Sequence, residues 1–371
     1  MYLRTMPRVL SACLAALCLL GGINCRAAEA PQTSAESFVL IEAQSGRVLA
    51  SRNAERELAI ASTTKIMTAL VAMEEKSPSE TVSVKEKHLK EGSSMYLRAG
   101  ETLTLEDLLY GLLLPSGNDA AECIADYCGG GVEPFVRKMN EKAAALGMSH
   151  TAFANPSGLD AEGHYSCALD MARLAAYAMC QPLFVRIAST KTAAVGERML
   201  GNHNKLLASL SGCVGVKTGY TSAAGRTLVT CCERDGLRLI AVTLNDRDDW
   251  NDHAALYEYG FSAYARRCPV SRGERYAVMP LRGGTQTSVA LAAGEDFFYP
   301  AAAEEELTAS VQLPDGALTA PLEAGQSVGE LLVTLDGQEV GRVPLVCAES
   351  VGAAQTKKNG LLGYLSALLS A

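Results

Sequence analysis

Ser62 and Lys65 lie three residues apart in the stretch ASTTKIMTA, at residues 61–69. Apolar residues recur at helical spacing after them, which predicts a helix beginning with Ser62 as its cap. Residues three apart share a helix face, so the Lys65 amine can reach the Ser62 hydroxyl. An ordinary lysine, with a pKa of about 10.4, is protonated at neutral pH, and burial or a second cation is needed to make it a base. The pair therefore predicts either a nucleophile with its base or a helix cap beside a surface lysine.

Two further polar segments follow at wide spacing. LLLPSGNDAAE puts a Ser-Gly-Asn turn at residues 116–118, where it can face a cleft or where Asn118 or Asp119 can cap the next helix. GVKTGYTSAAG puts Lys-Thr-Gly at residues 217–219, at the end of an apolar strand. Each segment has an ordinary structural explanation by itself. Ser-x-x-Lys, Ser-x-Asn and Lys-Thr-Gly in this order are, however, the signature of penicillin-binding proteins and class A β-lactamases.

With these motifs the chain resembles the serine-type D-alanyl-D-alanine carboxypeptidases, low-molecular-mass penicillin-binding proteins with a C-terminal β domain. The likeness runs from about residue 38 to residue 352 and includes GSSMYL, NPSGLD, HYSCALDMARLA, LTAPLEAGQSVGELLV and VPLV. The resemblance implies one cleft that holds the catalytic residues Ser62, Lys65 and Ser116 and the substrate-binding residues Asn118, Lys217, Thr218, Gly219 and Tyr220.

The resemblance also implies a reaction. Ser62 attacks the carbonyl between two D-alanines of a peptidoglycan stem peptide, and water hydrolyses the acyl-enzyme after the terminal D-alanine leaves. The implied oxyanion hole consists of the backbone N–H groups of Ser62 and Tyr220. Lys217 attracts the terminal carboxylate and lowers the pKa of Lys65, while Ser116 relays a proton to the leaving amine. A β-lactam would acylate the same serine, and no metal or organic cofactor is required.

The sequence departs from some relatives around the substrate carboxylate. His203, in the segment NHN, stands where some relatives carry an arginine, and NDRDDWND at residues 245–252 differs from a more basic loop. Arg226 and Arg247 are candidates for contacting the carboxylate, although each can equally have a surface or structural role. The partner of the carboxylate beyond the Lys-Thr-Gly motif stays open.

Two other functions fit the motifs less well. Class A β-lactamases carry a Glu-x-x-x-Asn segment for deacylation, and no such segment lies between Asn118 and Lys217. The extra β domain also argues against a β-lactamase. A catalytically inactive binding module has no reason to retain both Lys65 and Lys217.

The surrounding patterns predict an α+β fold, a β-lactamase/transpeptidase-like domain with an antiparallel sheet, helices and a helical insertion, followed by a small all-β domain. Predicted strands lie at residues 38–41, 47–50, 214–218, 227–232 and 237–244, and predicted helices at residues 105–114, 120–127, 133–146, 168–179 and 252–264. Short β-rich runs separated by turn residues fill residues 274–347. The predicted units are a signal peptide (1–30), the carboxypeptidase domain (31–267), the β domain (273–350) and a tail (351–371).

Charge and composition narrow the function classes. The 371-residue chain is 48% hydrophobic and carries a net charge of −8. Without a basic block, a nucleic-acid partner is excluded. Arg4 and Arg8 precede an apolar run at residues 9–23, which predicts a secretory signal, with an uncleaved anchor as the alternative. The signal predicts export to the outer face of the cytoplasmic membrane, the cell wall or the periplasm. Nine of the twelve cysteines follow this signal, an odd number without a Cys-x-x-Cys pair, which fits neither a disulfide framework nor a zinc site.

The tail KKNGLLGYLSALLSA places leucines on one helical face behind a basic pair. It is too short to span a bilayer, which needs about 20 residues. The pattern predicts either peripheral contact with an anionic membrane surface or a helix docked on the protein itself.

Overall fold

The computed structural model describes residues 30–354, so the predicted signal peptide and nearly all of the predicted tail lie outside the described residues. Two one-turn 3₁₀ helices cover Ala61–Thr64 and Glu86–His88. The α-helices are α1 (Lys65–Glu75), α2 (Leu105–Leu113), α3 (Asn118–Gly129), α4 (Val132–Ala145), α5 (Ala168–Ala178), α6 (Pro182–Ala188), α7 (Leu206–Ser209) and α8 (Asp249–Ala263). Among residues 30–354, no helix is both long and apolar enough to cross a bilayer.

The first part of the chain is built around a five-stranded antiparallel sheet in the order β2-β1-β9-β8-β7. Asp235 and Gly236 join β8 to β9 with positive φ angles of 50° and 75°, the conformation of a tight hairpin turn. Two small strand pairs, β3-β4 and β5-β6, lie outside this sheet. The strands are β1 (Ser37–Glu42), β2 (Val48–Arg52), β3 (Thr81–Ser83), β4 (Thr102–Thr104), β5 (Thr192–Val195), β6 (Arg198–Gly201), β7 (Cys213–Thr221), β8 (Gly225–Arg234) and β9 (Leu237–Asp246).

The central sheet is covered on both faces. Successive side chains of a strand point to opposite faces, and β1 is buried along its whole length. Val39 and Ile41 belong to the large core that also contains the apolar residues of α1 to α6. Phe38 and Leu40 belong to a second core, which includes Leu256 of α8. The helical layer on one face carries Ser62 and Asn118, and the sheet edge carries the Lys-Thr-Gly segment.

The chain after α8 is all β. A six-stranded sheet has the order β14-β16-β17-β12-β11-β15, and β10 pairs with β13. Its core contains fully buried leucines and valines from β12, β16 and β17. The strands are β10 (Tyr264–Val270), β11 (Arg275–Arg282), β12 (Ser288–Ala293), β13 (Phe297–Ala302), β14 (Leu307–Gln312), β15 (Leu318–Thr319), β16 (Ser327–Leu335) and β17 (Gln338–Cys347).

The predicted α+β architecture is confirmed, but several local predictions are wrong. Ser62 is not a helix cap: it lies inside the 3₁₀ turn, which makes no side-chain cap bond, and α1 begins at Lys65. The short elements α6, β5 and β6 were not predicted, because four to seven residues are too few to show a period. β10 runs across the predicted domain end at residue 267, and the domain boundaries stay a prediction.

The nine cysteines of residues 30–354 are all free thiols. Six are buried and pack as small apolar side chains, whereas Cys180 and Cys268 are exposed.

Candidate active site

One open cleft brings the three motifs together. Lys65, Asn118 and Lys217 are buried, with exposed fractions of 0%, 4% and 1%. The remaining five predicted site residues line the cleft: Ser62, Ser116, Thr218, Gly219 and Tyr220. Five residues without a definite predicted role line it as well: Ser93, His203, Arg226, Asp249 and Trp250.

The turn that carries Ser62 packs closely against strand β7. Ala61, just before the serine, has a φ of 46°, an unusual conformation for a residue with a side chain. A Cβ placed on Gly219 would lie 3.0 Å from the Ser62 backbone nitrogen and would overlap Thr227 Oγ1. Only glycine at position 219 allows the strand and the turn to approach this closely. Gly219 was predicted to bind substrate, and in the structure the space beside it is taken up by Thr227 and by the backbone of Ser62.

Lys65 lies within hydrogen-bonding distance of three oxygens. Its Nζ is 3.0 Å from Ser62 Oγ and 2.9 Å from Asn118 Oδ1, and it also contacts the carbonyl oxygen of Ser157. The amide and carbonyl oxygens can only accept hydrogen bonds. A neutral amine has two N–H groups, and both are used by these two acceptors. Its lone pair is then left for the Ser62 hydroxyl, which is the arrangement of a general base.

The electrostatics favour that neutral amine. Burial lowers the pKa of Lys65 well below its ordinary value, and the positive charge of Lys217 lowers it further, against a smaller opposing effect of Asp119. Burial also lowers the pKa of Lys217, to about 7. The sequence-based prediction that Lys217 depresses the pKa of Lys65 agrees with this direction, with burial as the larger cause.

Asn118 is held in one orientation. Its Nδ2 donates a hydrogen bond of 2.9 Å to the carbonyl of Glu91, so its Oδ1 must face Lys65. Asn118 does not cap α3, because Gly117 occupies the cap position and the helix start has no side-chain cap bond. The neighbouring Asp119 accepts hydrogen bonds from the backbone of Met95 and Leu97 and fastens the segment that forms one rim of the cleft.

Ser116 presents an unused hydroxyl. Its φ is 63°, a left-handed conformation that is unfavourable for serine. The side chain is buried, and its Oγ has no hydrogen-bond partner among residues 30–354 although the residue lines the cleft. A strained backbone that holds a buried, unpaired hydroxyl at a cleft points to a group that meets substrate.

A family model described as D-alanyl-D-alanine carboxypeptidase matches residues 24–248, more than half of the chain. The chain belongs to this family. A second family model, described as penicillin-binding protein 5, C-terminal domain, matches residues 264–353. The resemblance inferred from the three motifs and the β domain is therefore confirmed.

Members of the carboxypeptidase family match over most of their length. D-alanyl-D-alanine carboxypeptidase DacF of Bacillus subtilis is 32% identical, covering 89% of this chain and 88% of the relative. DacC of Escherichia coli is 34% identical, covering 87% of this chain and 86% of the relative. The crystal structure of penicillin binding protein 5 from Haemophilus influenzae superposes with a TM-score of 0.75 at 29% identity, covering 87% of this chain and 99% of that one.

The sequence motifs do not point to the loop that supports Lys65, and NPSGLD contributes only to the family resemblance. Asn155 Oδ1 accepts hydrogen bonds from the backbone of Ser157 and Gly158, at 3.1 and 2.8 Å, and fixes a tight turn. Gly158 has a φ of 83°, and a Cβ there would overlap the Ala61 carbonyl. The Asn-Pro-Ser-Gly pattern predicts a turn but not that its carbonyl oxygen meets the Lys65 amine.

His164 stabilises the same region through two hydrogen bonds of its ring. The backbone N–H of Ala154 donates to its Nδ1 at 3.0 Å, so Nε2 carries the proton and donates to Thr64 Oγ1 at 2.7 Å. Burial lowers the pKa of His164 to about 4, and the ring is neutral at neutral pH. This histidine therefore positions the residue before Lys65 without adding charge.

The two arginines considered for the substrate carboxylate are separated by the structure. Arg226 lines the cleft, whereas Arg247 is exposed and does not line it. His203 also lines the cleft, where burial and the charge of Lys217 lower its pKa. Within residues 30–354, no cluster of three or more His, Cys, Asp or Glu side chains is arranged to hold a metal ion.

Proposed function

We propose that this protein is a serine D,D-carboxypeptidase that removes the terminal D-alanine from peptidoglycan pentapeptide stems through an acyl-enzyme on Ser62. The observation that carries the proposal is the 3.0 Å distance between Lys65 Nζ and Ser62 Oγ. Both other partners of the amine are pure acceptors, which directs its lone pair to the serine. Family membership supports the same reaction.

In the first half of the reaction, Lys65 takes the proton of Ser62 Oγ as that oxygen attacks the carbonyl carbon between the two D-alanines. The carbonyl oxygen becomes an anion, and the backbone N–H groups of Ser62 and Tyr220 stabilise it. A donor of this kind typically contributes roughly 3 kcal/mol. The close approach of Gly219 to the Ser62 nitrogen supports the hole, because it brings the two backbone segments side by side.

The tetrahedral intermediate then collapses. The C–N bond breaks, and the proton held by Lys65 passes through Ser116 Oγ to the leaving amine of D-alanine. The unpaired Ser116 hydroxyl in the cleft supports this relay. Water next attacks the ester carbon and gives a proton to Lys65. As the C–O bond to Ser62 breaks, Lys65 returns this proton to Ser62 Oγ, which frees the shortened peptide and regenerates the enzyme.

Substrate binding uses the remaining predicted residues. Thr218 and the positive charge of Lys217 receive the terminal carboxylate, and the Asn118 amide positions the substrate and Lys65. β-Lactams, which also carry a carboxylate, acylate Ser62 as covalent inhibitors. No cofactor takes part in this scheme.

The predicted location agrees with a cell-wall substrate. We propose that residues 1–30 export the protein, that residues 31–267 and 273–350 form its carboxypeptidase and β domains, and that residues 351–371 include a peripheral membrane contact. The enzyme would then act in peptidoglycan biosynthesis and cell shape at the outer face of the cytoplasmic membrane, in the cell wall or in the periplasm.

One pair of assays separates the proposal from its alternatives. Purified protein is incubated with a pentapeptide ending in D-Ala-D-Ala, and D-alanine is measured for the wild type and for Ser62→Ala. Release that disappears in the variant supports the proposal, and absence of release in the wild type indicates a binding module. Nitrocefin is tested in parallel, because rapid repeated turnover would indicate a β-lactamase.

A further inference from the structure

We propose that Arg226 is a specificity-determining residue that binds the free carboxylate at the end of the peptide substrate. This inference rests on the proposed function, since it concerns the same cleft. Arg226 was only one of two candidate arginines in the sequence, and its position, orientation and charge now distinguish it.

The position of Arg226 follows from strand pairing. It lies opposite Tyr220 in the antiparallel register of β7 and β8, two residues beyond the Thr218 position. The pairing of β8 with β9 shifts between Arg226 and Leu228, and such a bulge redirects the neighbouring side chains. The guanidinium consequently lines the same cleft as Ser62 and Thr218.

Hydrogen bonds along one edge of the guanidinium fix the orientation of Arg226. Its Nε and Nη2 both donate to Asp249 Oδ1, at 3.0 and 2.7 Å, and the guanidinium lies over the Trp250 ring at 5.5 Å. Asp249 is itself buried. Within residues 30–354, Nη1 has no hydrogen-bond partner, and 42% of the side chain is exposed. Arg226 is therefore held in place with N–H donors still available to a ligand.

The charge of Arg226 differs from that of the two lysines at this site. Lys65 is buried and must be uncharged to act as a base. Lys217 has a pKa of about 7 and loses its proton near neutral pH. An arginine keeps its charge at any physiological pH, and its planar donors match a carboxylate. Although Asp249 balances its charge, Arg226 keeps charged N–H donors in a cleft whose lysines are partly or wholly neutral.

The test measures binding without turnover, on a Ser62→Ala background. Isothermal titration compares an acetylated tripeptide ending in D-Ala-D-Ala with the same peptide as its terminal amide. Arg226→Gln is the test variant. Arg247→Gln is the matched control, since Arg247 is exposed and lies two residues before Asp249 but does not line the cleft. Thermal unfolding of each variant confirms that it is folded.

We expect Arg226→Gln to weaken binding of the free acid by about tenfold or more, as loss of a charge-assisted hydrogen bond implies. Binding of the amide should change less than about twofold, and Arg247→Gln should alter neither ligand. Equal weakening of both ligands, or no change for the acid, would overturn the inference. Because this readout needs no catalysis, an absence of D-alanine release by the wild type would refute the proposed function without affecting the result.

Discussion

The Lys65 amine and the Asn118 amide oxygen lie 2.9 Å apart, and the asparagine cannot turn over because its nitrogen donates to the Glu91 carbonyl. Asn118 therefore always offers Lys65 an acceptor. Together with the Ser157 carbonyl, it takes up the N–H groups of a neutral amine and leaves the lone pair for Ser62. The hydrogen-bond partners of Lys65 are thus uncharged oxygens rather than a carboxylate.

Replacing Asn118 with aspartate tests this directly. Asn118→Asp places a negative charge beside the amine, which raises the pKa of Lys65 and favours the inactive ammonium. We expect acylation by a fluorescent penicillin at neutral pH to fall by about 100-fold, with partial recovery at alkaline pH as the amine loses its proton. Unchanged acylation would show that the protonation of Lys65 does not limit the reaction.

Replacing Lys65 with another cationic residue should abolish most of the acylation activity. Lys65→Arg keeps a positive charge but cannot accept a proton, so acylation should fall by about 1,000-fold. Lys191→Arg is the matched control, because Lys191 is exposed, and it should acylate at the wild-type rate. Substantial acylation by Lys65→Arg would mean that another group deprotonates Ser62.

The pH dependence of kcat/KM should be bell-shaped. Below the depressed pKa of Lys65 the base is protonated, so activity rises with pH at the acidic end. The pKa of Lys217 is about 7, and above that pH the site loses a charge that attracts the carboxylate, so activity falls. The two lysines titrate as a coupled pair. An activity that keeps rising to about pH 10, the ordinary range of lysine, would contradict this assignment.

Gly158 and Gly163 both have a positive φ, so a side chain strains the backbone at either position, but only at Gly158 does it also collide with other atoms. An added Cβ at Gly163 meets no atom within 4 Å, whereas at Gly158 it overlaps the Ala61 carbonyl, next to Ser62 in the chain. Gly163→Ala should lower the free energy of unfolding by about 1 kcal/mol, and Gly158→Ala by about 3 kcal/mol or more. Chemical denaturation measures both values. Equal losses would mean that the loop moves freely away from the Ser62 turn.

The sequence revealed the motifs because their chemistry resides in side chains. Lys65, Asn118 and Lys217 could be found by residue type and order, and the long alternating strands β7 to β9 could be found by their period. The sequence could not reveal the Ser157 carbonyl, since every residue carries one. Nor could it reveal the left-handed backbone of Ser116, which depends on the packing around the turn.

Local predictions failed where tertiary structure overrides local pattern. Ser62 resembles a cap, yet contacts with β7 and the Gly158 loop hold it within a 3₁₀ turn. β13 contains Pro300, which argues against a strand, but β13 pairs only with β10, where a missing N–H is tolerated. Short elements and edge strands are therefore the part of this fold that sequence patterns describe least well.

In the proposed mechanism, Lys65 deprotonates Ser62 and thereby makes it the nucleophile of this cleft. The most direct measurement is labelling of the purified protein with a fluorescent penicillin, followed by digestion and mapping of the labelled peptide. We expect a single adduct on Ser62 that is absent in Ser62→Ala. An adduct on any other residue, or undiminished labelling of that variant, would contradict it.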